Sequence, residues 1–232
     1  MEVPLWDQFQ QRTVELSDVE QFCDAVDKNG ENIIDSTAHL TCYRVKKPVS
    51  STKADITSTD QFGDLGLSVK RGRTQLCVPS EAVAVVDPTP TPTTSPSPTA
   101  TAVPSPPTPT PTATPTALPP PPPLEQFELY KVKKARGASK FERREVELED
   151  PFLGLDETVK LTRTVNLGAP TAEFYKDIIN PLTHLTCYKV QAHRFVHRDV
   201  FVSNRFDAWY KLTVKRPNML CVPSYKLVVY ED

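Results

Sequence analysis

Glycine is scarce in this chain of 232 residues, which contains only seven. A phosphate-binding loop needs several glycines close together, and a nucleophile elbow needs a serine between two of them, and neither motif occurs. No apolar run approaches the ~18 residues that a membrane-spanning helix requires. Lys and Arg form no concentrated cluster, so the charge pattern does not indicate nucleic-acid binding.

Helical periodicity is also lacking. Apolar residues instead recur at every second position, as in Val146 and Leu148 or Val200 and Val202. This spacing is typical of short strands with one buried face. The best helix candidate, residues 171–179, is short enough to be a turn. We therefore predict an all-β fold built from antiparallel, sandwich-like modules.

Two sequence motifs each occur twice, in the same order. His-Leu-Thr-Cys-Tyr-x-Val begins at His39 and again at His184, and Leu-Cys-Val-Pro-Ser begins at Leu76 and again at Leu220. The two cysteines of each copy are 35 and 34 residues apart. Matched words at matched spacing indicate a duplicated folding unit.

Proline divides the chain into parts. Residues 88–123 contain 16 of the 24 prolines, mixed with Thr, Ser and Ala and without any charge, which predicts a disordered and rather stiff linker. At ~3.1 Å per residue it could hold its flanks up to ~110 Å apart. We therefore predict two separate β modules, residues 1–87 with net charge −5 and residues 124–232 with net charge +3.

Each module divides again into two half-units of roughly 50 residues. Leu129-Tyr-Lys-Val in the second module resembles Cys187-Tyr-Lys-Val, and Leu-Gly168-Ala-Pro resembles Leu-Cys221-Val-Pro. The half-units span 1–37, 38–87, 124–180 and 181–232.

The cysteines follow this division. Leu129 and Gly168 stand where the next half-unit has Cys187 and Cys221, so a half-unit has both cysteines or neither. Joint presence and absence predicts the disulfides Cys42–Cys77 and Cys187–Cys221. The alternative is a pair of free buried cysteines in each half-unit.

Cys23 has no partner in this scheme. It aligns with Gly168, the second cysteine position of a half-unit, so its partner is expected on a strand preceding Met1. We therefore expect the chain to be a fragment, or its start to have been assigned too late. That expectation also accounts for the absent signal peptide, because a cysteine framework indicates an oxidising compartment. The predicted location is extracellular or the cell surface. The alternative is an ordinary free cysteine.

The pattern resembles an uncharacterised tandem-repeat family found in large exported proteins of environmental bacteria, notably delta-proteobacterial lineages. Its repeats read Cys-Tyr-Lys-Val-Lys, Asp-Gln-Phe, a Val-Lys-Lys/Arg strand and Leu-Cys-x-Pro, with a linking Asp-Lys-Asn-Gly-Glu segment. The resemblance covers nearly everything outside the linker and implies an exported repeat protein without an assigned activity. The matching words here are 130–133, 60–62, 69–71, 214–216 and 27–31.

Candidates for chemistry are few. Residues 27–35 carry alternating oxygen donors around Gly30 but miss the EF-hand spacing, so a tight Asn-Gly turn is the favoured interpretation. His39 and His184 recur in the repeat, which favours packing or a strand-end hydrogen bond over a site. His193 and His197 lie between strands without a third ligand. The adjacent carboxylates Glu149 and Asp150 are interpreted as a solvated face and turn. We predict no metal, no cofactor and no enzymatic activity.

Aromatic residues are concentrated in the last half-unit. Trp209, Tyr210 and Tyr225 are weak candidates for stacking on a sugar, and the alternative is that they fill a small β core. The chain is therefore interpreted as a non-catalytic extracellular structural or adhesive repeat protein. Its expected partner is a cell-surface or extracellular polymer. A carbohydrate- or ligand-binding module tethered by the Pro/Thr linker is the alternative.

The half-unit alignment makes a direct chemical prediction. Peptide mapping of the unreduced protein by mass spectrometry will find Cys42 joined to Cys77 and Cys187 joined to Cys221. A bridge between the modules, such as Cys42 with Cys187, would contradict the alignment.

Overall fold

The computed structural model describes residues 1–85, 124–173 and 177–229, so the predicted linker at 88–123 lies outside the described residues. The described chain is all-β and contains no helix. No segment in these ranges is a helix long and apolar enough to cross a membrane. The strands are β1 (Glu2–Trp6), β2 (Gln11–Cys23), β3 (Asp27–Lys28), β4 (His39–Lys47), β5 (Ala54–Asp60), β6 (Gly63–Val69), β7 (Gln75–Ala84), β8 (Phe127–Lys134), β9 (Arg144–Asp150), β10 (Leu155–Pro170), β11 (Ala172–Glu173), β12 (His184–Gln191), β13 (Arg198–Ser203), β14 (Tyr210–Val214) and β15 (Met219–Val229).

The two-residue spacing of apolar side chains is confirmed as a strand signal. Val146 and Leu148 of β9 are buried while their neighbours are exposed, and Val200 and Val202 of β13 are fully buried. The helix candidate at 171–179 is wrong where the structure describes it, because Ala172 forms β11 with its neighbour and pairs with β1. Residues 174–176 lie outside the described ranges.

Six strands form a closed antiparallel ring in the order β8, β10, β12, β15, β5 and β6. The ring closes because β6 pairs with β8 through Val69 and Val132. Its interior holds a buried apolar cluster in which Tyr130 and Tyr188 have no exposed surface. Each of these strands therefore pairs with one ring neighbour on each side.

A second run of strands repeats this order. Strands β2, β4, β7, β13 and β14 are paired in the same succession as β10, β12, β15, β5 and β6. The contact between Glu81 and Ser203 corresponds to that between Tyr225 and Thr59, each residue being displaced by 144 positions. The duplication in the sequence is therefore also a duplication of strand pairing.

The two sequence modules exchange hairpins. The β5–β6 hairpin of the first module pairs with β15 of the second, and the β13–β14 hairpin of the second pairs with β7 of the first. Residues 1–85 and 124–229 consequently belong to one compact unit. The expected separation into modules 1–87 and 124–232 is thus a division of the sequence and not of the fold. Equivalent strands of the two modules have similar sequence motifs, so local sequence does not specify which hairpin pairs with which sheet.

Strand β8 also ties the halves together through a buried ion pair. Arg12 on β2 contacts Glu128, whose side chain is 1% exposed, and Arg12 donates a second hydrogen bond to Thr74 Oγ1 at 3.0 Å. Burial raises the pKa of Glu128, and the Arg12 charge opposes that shift. Removing one member of such a pair is costly because the other is left charged without a partner.

Hairpin exchange predicts the behaviour of a chain cut within 88–123. A specific protease site inserted there should give two fragments that still elute as one particle in size-exclusion chromatography, because each fragment supplies strands to the other's sheet. The same cut chain in urea with reductant should separate, which serves as the control. Two folded fragments that elute independently without denaturant would contradict the exchange.

Candidate functional site

Two disulfides join directly opposed residues on neighbouring strands. Cys42 on β4 is bonded to Cys77 on β7, and Cys187 on β12 is bonded to Cys221 on β15, with Cα–Cα distances of 3.9 and 4.0 Å. These are the pairs that the half-unit alignment predicts.

The half-unit without cysteines keeps the same register. Leu129 on β8 lies directly opposite Gly168 on β10, as Cys187 lies opposite Cys221. The ideal position of a Cβ at Gly168 would be 2.9 Å from Leu185 Cβ, so glycine leaves room for Leu185 and Leu129. An apolar contact therefore replaces the disulfide at this position.

Cys23 is a free thiol, as predicted. It ends β2 opposite Leu40, and its Sγ lies 3.8 Å from Sγ of Cys42. Burial, with a smaller contribution from the negative charge of Asp24, raises the pKa of Cys23 to about 12. The thiol is therefore protonated at neutral pH in this environment.

A recurring cluster lies at the hairpin turns. In each case an Asp or Asn of one half-unit caps the turn, the residue two positions later is Phe, and the ring of that Phe contacts a tyrosine from a different half-unit. The tyrosine is always the one that follows the first cysteine position of its half-unit. The clusters are Asp7, Phe9 and Tyr130; Asp60, Phe62 and Tyr188; and Asn204, Phe206 and Tyr43.

In each cluster the tyrosine hydroxyl is hydrogen-bonded to side chains at the turn. Tyr130 donates to Asp7 Oδ2 at 2.6 Å, and Tyr188 donates to Asp60 Oδ2 at 2.5 Å. Tyr43 donates to Asp207 Oδ2 at 3.1 Å and accepts from Asn204 Nδ2 at 2.9 Å. Each turn residue also accepts the amide of its own Phe, at distances of 2.7 to 2.9 Å. Burial raises the pKa of all three tyrosines, so their hydroxyls stay protonated and act as donors.

The fourth turn has the same motif without a tyrosine. Asp150 ends β9 and Phe152 follows it, and Asp150 Oδ1 accepts the amide of Leu153 at 2.8 Å. Among the described residues no tyrosine hydroxyl donates to Asp150. The Phe152 ring instead packs against His39, with 4.6 Å between ring centroids. We refer to Asp24, His39, Asp150 and Phe152 as the Asp150 cluster.

Electrostatics make the Asp150 cluster unusual. Burial, together with the adjacent Asp24 carboxylate and a hydrogen bond to it, raises the pKa of Asp150 to about 7. His39 Nδ1 lies 2.8 Å from Asp24 Oδ1, and both side chains are 5% exposed. The interpretation of Glu149 and Asp150 as a solvated pair holds for Glu149 but is wrong for Asp150, which is buried. The alternation of β9 turns this side chain inward.

An open cavity of about 1010 Å³ lies near the end of β12 and the start of β15. Gln21 of β2 and Met219 of β15 both line it, and Gln21 Nε2 donates to Asn218 Oδ1 at 3.3 Å. Lys160, Lys189 and Arg216 contribute to its polar lining.

The aromatic candidates do not share one surface role. Tyr210 is partly buried, and its hydroxyl lies 3.1 Å from that of Tyr43. Trp209 is 52% exposed, while Tyr225 lies opposite Thr59 and is 73% exposed. No ring contact joins Trp209 to Tyr225 within the described ranges.

The remaining candidates occupy turns and connections. Asn29 and Gly30 have positive φ angles of 57° and 75°, which confirms the tight Asn-Gly turn. Asp27 Oδ2 accepts the amide of Asn32 at 3.0 Å, so the chain itself engages this carboxylate. His193 and His197 lie in the connection between β12 and β13, as predicted. In the part of the chain that the structure describes, no three His, Cys, Asp or Glu side chains are grouped to hold a metal ion.

Comparison with known proteins adds no relative. No family model, no curated protein and no solved structure matches the chain. The candidate site therefore depends on the internal repeat alone.

Sequence reasoning did not identify the Asp150 cluster, although a signal was present. Asp or Asn followed two residues later by Phe occurs at the four turns that begin at Asp7, Asp60, Asp150 and Asn204, and also at Asp199 within β13. The spatial partners of the turns at Asp7, Asp60 and Asn204 are tyrosines two half-units away, and exchange between half-units cannot be read from local spacing.

The raised pKa of Asp150 predicts a pH-dependent stability. Because its folded pKa of about 7 exceeds its ordinary value of 3.8, Asp150 stabilises the fold fully below pH ~4. That contribution is lost as the pH rises to about 7, by at most ~1.4 kcal/mol per pH unit. Asp150→Asn, which stays neutral, should therefore gain stability relative to the wild-type chain between pH 4 and pH 8 in urea unfolding. Glu149→Gln, on the exposed face, is the control, and a pH-independent difference for Asp150→Asn would refute the assignment.

Proposed function

We propose that this chain is a non-catalytic structural or adhesive repeat module of an extracellular protein. In this proposal the half-units assemble by exchanging strands. The observation that carries it is the reciprocal pairing of β5 with β15 and of β13 with β7. Backbone pairing of this kind joins units strongly and requires no recognition of a soluble ligand.

The proposed location rests on the disulfides. Both bridges join directly paired strands, and structural disulfides persist in secreted proteins and are rare in the cytosol. Each closes a loop of about 35 residues, which stabilises the fold by ~3–4 kcal/mol on the chain-entropy model. The exported repeat family that the sequence resembles supports the same location.

The carbohydrate-binding alternative has less support. A sugar platform needs exposed rings that are close together and suitably oriented. Tyr210 is committed to a hydrogen-bonded cluster with Tyr43, and no ring contact between Trp209 and Tyr225 occurs among the residues that the structure describes.

Expression in two compartments tests the proposal. With an added signal peptide, the protein from the bacterial periplasm should contain both disulfides and unfold cooperatively. The protein made in the cytosol, where thiols stay reduced, should be less stable by ~2–5 kcal/mol for each missing bridge. Equal stability of the reduced and oxidised proteins would contradict an extracellular role.

A calorimetric titration with soluble oligosaccharides tests the alternative. We expect no stoichiometric binding to the wild-type chain. Binding that Trp209→Ala abolishes and Tyr210→Phe retains would replace the structural role with a ligand-binding one.

A further inference from the structure

Strand β8 occupies a slot with three walls. One edge pairs with β10, and the other pairs with β7 through Leu129 and with β6 through Val132, all antiparallel. Tyr130 then reaches the Asp7 turn. Both edges of β8 are therefore hydrogen-bonded to neighbouring strands.

The duplicated half has the same three walls. The elements equivalent to β10, β7 and β6 are the end of β2 with the two residues that follow it, β15 and β14. The corresponding residues are 21–25, 219–221 and 212–214. Within the described residues, β2 pairs with β1 and β4 but with no strand along 21–25 on the edge away from β4. β14 pairs with β13 alone, and 219–221 of β15 pairs with β12 alone. We call these three edges the open slot.

Residues that line the open slot are more exposed than their equivalents beside β8, as expected when no strand is bound there. Gly168 and Leu167 beside β8 are buried, whereas their equivalents Cys23 and Phe22 are partly exposed. Cys77 is 1% exposed, whereas its equivalent Cys221 is only partly buried. The same contrast separates two further pairs, Leu67 from Leu212 and Val69 from Val214.

A strand bound in the open slot as β8 is bound in its own would place its tyrosine hydroxyl at the Asp150 cluster. Tyr130 is opposite Leu167 on β10, and the equivalent of Leu167 on β2 is Phe22. The Phe22 ring lies 5.9 Å from that of Phe152 and 5.6 Å from that of His39. The motif of Asp150 and Phe152 therefore faces the one tyrosine position of the repeat that the described chain does not fill.

The cysteine position follows from register. Leu129 is opposite Gly168, and both disulfides join residues in this same relation. Cys23 is the equivalent of Gly168. A strand bound in the open slot would therefore place, opposite Cys23, the position that Cys42 and Cys187 hold in the two bridged half-units. The next residue of that strand is the tyrosine.

We propose that the open slot binds a strand from a further half-unit of the same repeat. The strand has the form Cys-Tyr-x-Val and runs antiparallel to β2, with its cysteine opposite Cys23 and its tyrosine hydroxyl at Asp150. This proposal rests on the structural role proposed above and names the partner for strand exchange. A disulfide with Cys23 then completes the site. The two thiols lose two protons and two electrons, and a disulfide oxidant accepts them and is reduced to two thiols.

A synthetic strand tests the proposal on the full chain. The probe is the peptide of residues 125–134 with Leu129→Cys, mixed with the protein in oxidised and reduced glutathione. We expect a one-to-one adduct whose mapped disulfide joins the peptide to Cys23. Hydrogen exchange at 21–25 and 212–214 should slow when the peptide is present. An adduct at Cys42 or Cys77, or a Cys23–Cys23 dimer that excludes the peptide, would overturn the assignment.

Non-covalent binding provides the second measurement. Under reducing conditions, the peptide with Leu129→Ser should bind the Cys23→Ser chain, followed by fluorescence anisotropy. Leu212→Lys points a charge into the slot and should weaken binding at least tenfold, whereas Thr213→Lys, on the outer face of β14, should not. Unchanged binding in Leu212→Lys would place the peptide elsewhere.

The tyrosine contact has its own test. Replacing the peptide tyrosine with Phe should weaken binding about fivefold to the chain with Asp150 and have no further effect on Asp150→Ala. Equal effects in both chains would show that the hydroxyl does not reach Asp150. If the peptides fail to bind while the protein still depends on its two disulfides for stability, the open-slot proposal alone is refuted. If the reduced and oxidised proteins are equally stable, the proposed function is refuted.

Discussion

Backbone pairing at strand edges is the constraint on which this structure depends. An unpaired edge exposes a row of N–H and C=O groups, and a small all-β unit has few ways to satisfy them. Here β7 and β15 each run beyond the strand that their own module offers, and the hairpin of the other module covers the extension. The closed ring around Tyr130 and Tyr188 depends on that arrangement.

The tyrosine clusters turn this exchange into a specific one. A strand edge recognises any extended backbone, so pairing alone does not determine which hairpin lies where. The hydrogen bonds from Tyr130 to Asp7 and from Tyr188 to Asp60 require a donor and an acceptor at fixed positions along both partners. Since both groups are largely desolvated, a mismatched register would leave a buried carboxylate without its donor.

Much of the fold could be predicted from the sequence, and the reasons are local. The alternation around Val146, the paired loss of cysteines at Leu129 and Gly168, and the turn at Asn29 each depend on neighbours in the chain or on an internal copy. Exchange of the hairpins could not be predicted, because equivalent strands carry nearly equivalent words. The burial of Asp150 was missed for a related reason, since its environment comes from Asp24 and His39, which belong to the other module.

The hairpin exchange has a consequence for how such a chain assembles. Each contact between the modules would be equally satisfied if the second module belonged to another molecule, so the closed monomer and a reciprocal dimer contain the same pairings. What distinguishes them is the local concentration of one module around the other, which the length of the segment at 88–123 determines. We therefore expect the length of this proline-rich segment to influence how readily the monomer forms instead of the dimer.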